Sequence, residues 1–186
     1  MVKIGIMLGS TRPGRRGEAV AKWAYEIASQ RTDAAFEYID LLDHELPHLD
    51  EPMPPTMGQY AFEHTKEWAA TIAALDGFVF VTPEYNHSTS GVLKNAIDYL
   101  YSEWNNKAAG FVSYGGVGGA RAVEHLRLIM GELQVADVRQ QVALSMFTDF
   151  ENFTVLKPAG FHVGFLNVML DQLVAWSTAL APLRAA

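Results

Sequence analysis

The sequence predicts an α/β fold: a three-layer, doubly wound, five-stranded parallel sheet with strand order 2-1-3-4-5. Three observations carry this. Short apolar runs alternate with helical patterns along the chain, which is the mark of βαβ units. One run, Gly77-Phe78-Val79-Phe80-Val81-Thr82, is apolar almost throughout, as a strand covered on both faces must be. The 186 residues contain no linker, repeat or low-complexity tract, so one domain over 1–186 is expected.

The elements follow in order. Val2 to Leu8 reads as the first strand. Its short apolar run goes straight into a Gly-rich turn, which suits a strand and not a signal peptide. Val20, Trp23, Ala24, Ile27 and Ala28 then recur at helical spacing. Phe36 to Leu41 alternates as a second strand, and a loop with Pro47, Pro52, Pro54 and Pro55 follows. Tyr60 to Leu75 is helical, with Trp68, Ile72 and Leu75 inward. The third strand ends at Pro83, which has no N–H for the ladder. Leu93, Ala96, Ile97 and Leu100 mark a helix, and Lys107 to Tyr114 the fourth strand. Val123, Leu126, Met130 and Leu133 mark the next helix, and Val138 to Val142 a weaker fifth strand. Phe165, Val168, Met169, Leu173 and Trp176 mark the last helix. The segment from Phe147 to Phe161 follows no assignable pattern; core packing is the default for its phenylalanines, with an acceptor pocket or a subunit interface as alternatives.

Composition narrows the function. A hydrophobic fraction of 49% with 19% charged residues is that of a globular chain. The absence of cysteine excludes a disulfide framework, a thiolate nucleophile and a cysteine-ligated metal, so any redox chemistry belongs to a bound cofactor. A net charge of −7 argues against nucleic acid as the main partner. No apolar run approaches the ~20 residues of a membrane helix, and a cytoplasmic location is expected. No metal site is expected.

In a doubly wound sheet, ligands bind outside the carboxyl ends of the strands at the switch point between strands 1 and 3. The loops after Leu8, Thr82 and Tyr114 are therefore the ones to read. The first, from Gly9 to Gly17, combines glycines, the hydroxyls of Ser10 and Thr11 and the guanidinium groups of Arg12, Arg15 and Arg16, just before a helix N-terminus. That is the chemistry of a phosphate site. It is neither a Walker A loop nor GxGxxG. The alternative is a solvated basic turn.

The second loop, Pro83-Glu84-Tyr85-Asn86-His87-Ser88-Thr89-Ser90-Gly91, offers backbone N–H groups, an amide side chain and an aromatic ring for the edge and face of a flat heteroaromatic ligand. One of Ser88, Thr89 and Ser90 is expected to cap the following helix. His87 reads as a surface residue and Glu84 as structural rather than catalytic. The third loop, Ser113-Tyr114-Gly115-Gly116-Val117-Gly118-Gly119, permits close backbone approach to a ring edge; a tight strand-to-helix turn is the equal alternative. Lys107 and Asp137 are read as solvated surface charges, with an inter-subunit pair as the alternative.

These residues resemble the NAD(P)H-dependent FMN reductases, the flavodoxin-like group that includes azoreductases, quinone reductases and chromate reductases. The matching stretches are Gly9-Ser10-Thr11-Arg12 with Gly14 through Trp23, Pro83 through Ser88, Leu93-Lys94-Asn95-Ala96-Ile97-Asp98-Tyr99-Leu100, Glu103-Trp104 with Lys107, and Ser113 through Gly116. The resemblance implies FMN as cofactor and NADPH or NADH as co-substrate. It implies that Ser10, Arg12, Arg15, Arg16 and Gly17 hold the FMN phosphate, without dividing the contact between Arg15 and Arg16. Pro83, Glu84, Tyr85 and Asn86 would hold the isoalloxazine, and Ser113, Tyr114, Gly115 and Gly116 would close its pyrimidine side. No catalytic side chain is implied, because the flavin carries the hydride. The implied reaction is ping-pong transfer to small acceptors: quinones, azo compounds, flavins or metal oxyanions. A homodimer or homotetramer is implied as well. The rival readings are a non-enzymatic electron carrier on the same fold and a phosphate or nucleotide module without flavin.

Overall fold

A computed structural model describes residues 1–184; the last two residues of the expected 1–186 domain lie outside the described residues. The elements are β1 (Lys3–Leu8), α1 (Gly17–Ala28), β2 (Ala35–Asp40), α2 (Glu63–Ala73), β3 (Gly77–Pro83), α3 (Gly91–Asp98), β4 (Ala108–Gly115), α4 (Ala120–Glu132), β5 (Ala136–Ser145), a short hairpin β6 (Phe150–Glu151) and β7 (Val155–Leu156), α5 (Phe161–Ala179) and α6 (Ala181–Arg184). The main sheet has the order β2-β1-β3-β4-β5, with every pairing parallel. This is the expected doubly wound, flavodoxin-like architecture.

Strand alternation divides the core into two layers. Ile4, Ile6, Leu8, Val79, Val81 and Val112 face α1 and α5, meeting Val20, Ala24, Leu166, Met169 and Leu173. Met7, Phe78, Phe80 and Phe111 face the other way, against Trp68, Ile72, Ile97, Trp104, Val123 and Leu126. All of these side chains are buried. The parallel register aligns the strand ends. Leu8 lies beside both Asp40 and Val81, Pro83 beside Tyr114, and Gly115 beside Ser145. Three loops are thereby delivered to one edge of the sheet.

Two sequence expectations need correction, one on Lys107 and Asp137 and one on the phenylalanines from 147 to 161. Lys107 is neither a surface charge nor a subunit contact. It is buried, and its Nζ donates to the carbonyls of Ile72 at 2.7 Å and Ala73 at 3.3 Å, closing the C-terminal end of α2. Burial, with Arg184 nearby, draws its pKa down to about 8. Asp137 pairs instead with Arg127 of the same chain. On α5, Met169 and Leu173 are buried, but Phe165, Val168 and Trp176 are exposed, so the helix turns only part of its apolar surface inward. Of the phenylalanines from 147 to 161, one of four joins the core. Phe150 is buried, whereas Phe147, Phe153 and Phe161 are exposed.

Candidate functional site

The loop after β1 is built by its own turn chemistry. The N–H of Arg15 donates to the carbonyl of Arg12 at 3.0 Å, with Pro13 and Gly14 between them and Gly14 at φ 67°. Proline fixes the first central position of a type II turn, and the positive φ at the second is one that glycine adopts without strain. The turn separates the three arginines. Arg15 is turned toward the end of β2: its Nη1 donates to the carbonyl of Ser10 at 2.6 Å and to Asp40 Oδ1 at 2.8 Å, and its Nη2 pairs with the other oxygen of Asp40. Burial works against the Arg15 charge, but the Asp40 carboxylate outweighs it and leaves the guanidinium pKa raised. Arg16 donates to the carbonyls of Phe153 at 3.1 Å and Gly14 at 3.2 Å. Arg12 is exposed and pairs with no carboxylate among the described residues. Among the described residues no side chain caps α1, and its start, with the positive end of its dipole, lies beside these cations.

The loop after β3 turns tightly. Tyr85 and Ser88 exchange backbone hydrogen bonds of 2.9 and 3.1 Å, with Asn86 at φ 48° and His87 at φ 74°. Two consecutive positive φ values make this a type I′ turn, a conformation that asparagine and histidine tolerate better than most residues. The N–H groups of Glu84 and Tyr85 are consumed internally, by Tyr114 and Ser88. Tyr85 Oη lies 3.1 Å from the buried Ser10 hydroxyl, which ties this loop to the first. Ser90 caps α3, accepting from the N–H of Leu93 at 3.2 Å, and its hydroxyl also donates to the carbonyl of Gly9. Glu84 accepts from the N–H of Arg121 at 3.2 Å and from its Nε at 2.6 Å, joining this loop to the start of α4. His87 is exposed.

The third loop closes the edge. The carbonyl of Gly115 accepts from the N–H groups of Met146 at 2.9 Å and Gly118 at 3.1 Å. Ser113 is buried and donates at 2.6 Å to the carbonyl of Gly118, so its hydroxyl serves the loop rather than the cleft. Tyr114 is nearly buried; that burial, with Tyr85 nearby, raises its pKa and keeps it a neutral hydroxyl. A Cβ on Gly17 would stand 2.5 Å from the Tyr114 hydroxyl, so only glycine lets α1 begin this close to β4.

Between these loops lies a cleft of about 240 Å³ lined by Arg12, Arg16, Pro83, Glu84, Tyr85, Tyr114, Gly115, Gly116 and Met146. Every one but Met146 was singled out from the sequence. Ser10 and Gly17 stand behind the wall through Tyr85 and Tyr114, and Asn86 sits at the turn outside the lining. Arg15 and Ser113 are drawn elsewhere. The sequence reading missed Asp40, although a carboxylate ending the strand beside a basic loop was a usable signal. It also missed Arg121 as the partner of Glu84. A larger hollow, about 490 Å³, lies between α3 and α4 near Lys94, His125 and Leu128. Its one lysine is paired with Asp98, so it lacks the converging anion donors of the smaller cleft.

The cleft's chemistry suits one kind of ligand. Arg12, Arg16 and an uncapped helix start suit a phosphate monoester. A slot walled by Pro83, Tyr85, Gly115 and Gly116, where no Cβ intrudes on the glycine side, suits a flat ring. These residues fit FMN. Fold and site together define a flavodoxin-like protein with a nucleotide cleft at the β1/β3 switch point.

The family described as NADPH-dependent FMN reductase matches residues 2–149, and the chain belongs to that family. It is 42% identical over 159 residues to an NAD(P)H-dependent FMN reductase of Schizosaccharomyces pombe, covering 84% of this chain and 80% of the relative. It is 36% identical to an NAD(P)H:quinone oxidoreductase of Solanum tuberosum, covering 69% of this chain and 67% of the relative. In fold it is similar to FerB, a flavoenzyme NAD(P)H:(acceptor) oxidoreductase from Paracoccus denitrificans. There the TM-score is 0.73 at 23% identity, over 93% of this chain and 97% of the other. Among the described residues, no helix is long and apolar enough to cross a membrane.

Proposed function

We propose that this protein oxidises NAD(P)H and reduces small quinone-type acceptors, with FMN held in the cleft between the loops after β1, β3 and β4. The observation that carries the reading is the convergence, at one sheet edge, of unpaired Arg12, an uncapped α1 and a Gly-walled slot. Bound there, FMN supplies a ring that takes up a hydride and passes its electrons on. Arg12 and the remaining donors of Arg16 hold the phosphate, and Gly17 lets α1 begin close behind them. Ser10 supports them through its hydroxyl, and Arg15 acts indirectly by fixing the loop to Asp40. Pro83, Tyr85 and the Asn86 amide serve one side of the ring, with Glu84 bracing their loop. Gly115 and Gly116 serve the other side, backed by Ser113 and Tyr114. No side chain need act as acid or base at the reacting carbon: NAD(P)H, one solvent proton and a quinone give NAD(P)⁺ and a hydroquinone.

The same reading treats the chain as one FMN-binding domain working in the cytoplasm as a homodimer or homotetramer. The exposed Phe165, Val168 and Trp176 on α5 support an apolar contact between subunits. The test is the visible spectrum of protein mixed with FMN and freed of excess, followed without oxygen. We expect a retained flavin band that bleaches with NADPH or NADH and returns on adding a quinone. A band that neither nucleotide bleaches would make the protein an electron carrier. No retained band would overturn the flavin reading.

A further inference from the structure

The hairpin β6–β7 stands beside the cleft, anchored to the core by Phe150 and Leu156, but the phenylalanines flanking its first strand are accounted for neither by the core nor by the FMN-holding loops. Phe147 and Phe153 are 70% and 55% exposed, yet their rings meet edge to face at 5.6 Å. The pair touches both walls of the cleft. A Cβ placed on Gly116 would lie 3.7 Å from the Phe147 ring, and the carbonyl of Phe153 accepts from Arg16 Nε at 3.1 Å. Met146, next to Phe147 in the chain, lines the cleft itself.

The turn that presents Phe153 is strained. Asn152 and Phe153 have φ values of 51° and 56°, and for a bulky aromatic residue that region is unfavourable. Such a conformation persists only where its surroundings hold it. Here they do: β6 pairs with β7, Arg16 grips the Phe153 carbonyl, and the hairpin base closes on buried Asp149. A solvated loop tip gains nothing from holding a phenylalanine in this way.

We infer that Phe147 and Phe153 form an aromatic rim that selects planar aromatic acceptors, such as quinones, over compact anions. The inference rests on the FMN reading above. A flat acceptor entering between Met146 and the ring slot buries its face or edge against the pair, and aromatic contacts of this kind favour offset or edge-on geometry. A small hydrated anion has no apolar face to bury there. Phe147 lies within residues 2–149, which the family model matches, and Phe153 lies beyond them.

The test compares two acceptors on FMN-loaded protein: 1,4-naphthoquinone, which takes two electrons and two protons, and ferricyanide, which takes one electron. In a ping-pong reaction, kcat/KM for each acceptor reports its own half-reaction. Phe147→Ala should lower the ratio of naphthoquinone to ferricyanide kcat/KM about tenfold, equivalent to about 1.4 kcal/mol. Phe147→Tyr should restore the ratio. Phe153→Gly, which keeps the turn and relieves its strain, should lower the ratio as Phe147→Ala does. An unchanged ratio in both ring-removing variants overturns the rim while leaving the FMN reading intact. Wild-type protein that retains no FMN overturns the FMN reading, and the rim with it.

Discussion

The loops after β1, β3 and β4 and the hairpin after β5 border the same cleft, but they are held there differently. Each of the three loops continues directly from a central strand, so sheet register sets its starting point to within a residue. Each is also tied to a neighbour more than once: Gly9 to Val81, Ser10 to Tyr85, Ser90 to Gly9, Glu84 to both Tyr114 and Arg121. The hairpin is held by its own β6–β7 pairing, by Phe150 in the core and by Arg16 on the Phe153 carbonyl, while the ties at its base converge on one side chain. Asp149 accepts from the N–H groups of Ser145 at 2.9 Å and Ala159 at 3.1 Å and from the Thr148 hydroxyl at 3.1 Å, and it pairs with buried His162 at 3.0 Å. Redundant ties make the loops tolerant of single changes. The base of the hairpin, where four contacts converge on the Asp149 carboxylate, is vulnerable to one.

The sharpest way to break this contrast is Asp149→Ala. It strands two backbone donors and a buried histidine, and we expect a loss of about 3–5 kcal/mol, the range for removing one partner of a buried pair. Urea unfolding monitored by fluorescence measures it. The sign with pH follows from the carboxyl's environment. Burial pushes its pKa up, but the N–H donors of Ala159 and Ser145 and the facing His162 outweigh burial, so the folded value lies below the ordinary one. Stability from this group is therefore fully present above its unfolded pKa of about 3.9 and is lost as pH falls through the folded value. The gap between wild type and Asp149→Asn should shrink below about pH 4. A gap that does not change with pH would mean that the carboxylate's charge is not what holds the hairpin.

The same contrast explains what could be read from the sequence. The apolar run at Phe78–Val81, the helical spacing around Val20 and Ala24 and the glycines after Leu8 and Tyr114 are local patterns; they mark the strands, the helices and the loops that line the cleft, while the strand order follows from what a doubly wound sheet of this length most commonly adopts. What stayed hidden depends on distant partners. Arg15 looked equivalent to Arg12 and Arg16 until Asp40, 25 residues on, claimed it. Lys107 looked solvated because nothing nearby in sequence announces the carbonyls of Ile72 and Ala73. The hairpin strands are two residues each, too short for periodicity to register. Aromatic residues in such a segment suggested a core, but Phe147 and Phe153 face outward.

A smaller effect separates two arginines of one turn. Arg12→Ala removes an exposed guanidinium and should raise the FMN dissociation constant about tenfold or more, as for a hydrogen bond to a charged group worth about 1.5–3 kcal/mol. Unfolding of its apoprotein should change by less than about 0.5 kcal/mol. Arg15→Ala should do the reverse, because the nearly buried Asp40 loses its partner. Its apoprotein should lose about 2 kcal/mol or more, with FMN affinity falling only as far as the loop loosens. Fluorescence quenching of FMN and urea unfolding, made on both variants, give the two numbers. Equal losses of FMN affinity would return Arg15 to the phosphate site.

The smallest effect belongs to Glu84, and it tests whether the redundantly tied loops contain any catalytic acid. Its carboxylate is 5% exposed, whereas its partner Arg121 is 47% exposed, so much of the pair's attraction is screened by solvent. Glu84→Gln keeps the shape and one acceptor for the Arg121 N–H while removing the charge. The cost should be about 1 kcal/mol. The loop should stay in place through the Glu84 N–H bond to Tyr114 and the Tyr85–Ser88 turn, neither of which uses the side chain. If Glu84 only braces the loop, kcat with NADPH and a quinone should fall by less than about threefold and its pH profile should not move. A group that transfers a proton in the rate-determining step would cost about 10²–10⁴-fold and erase one limb of that profile. A drop of that size would make Glu84 a catalytic residue rather than a brace and would add a proton-transfer step to a reaction that the cleft otherwise supports by positioning alone.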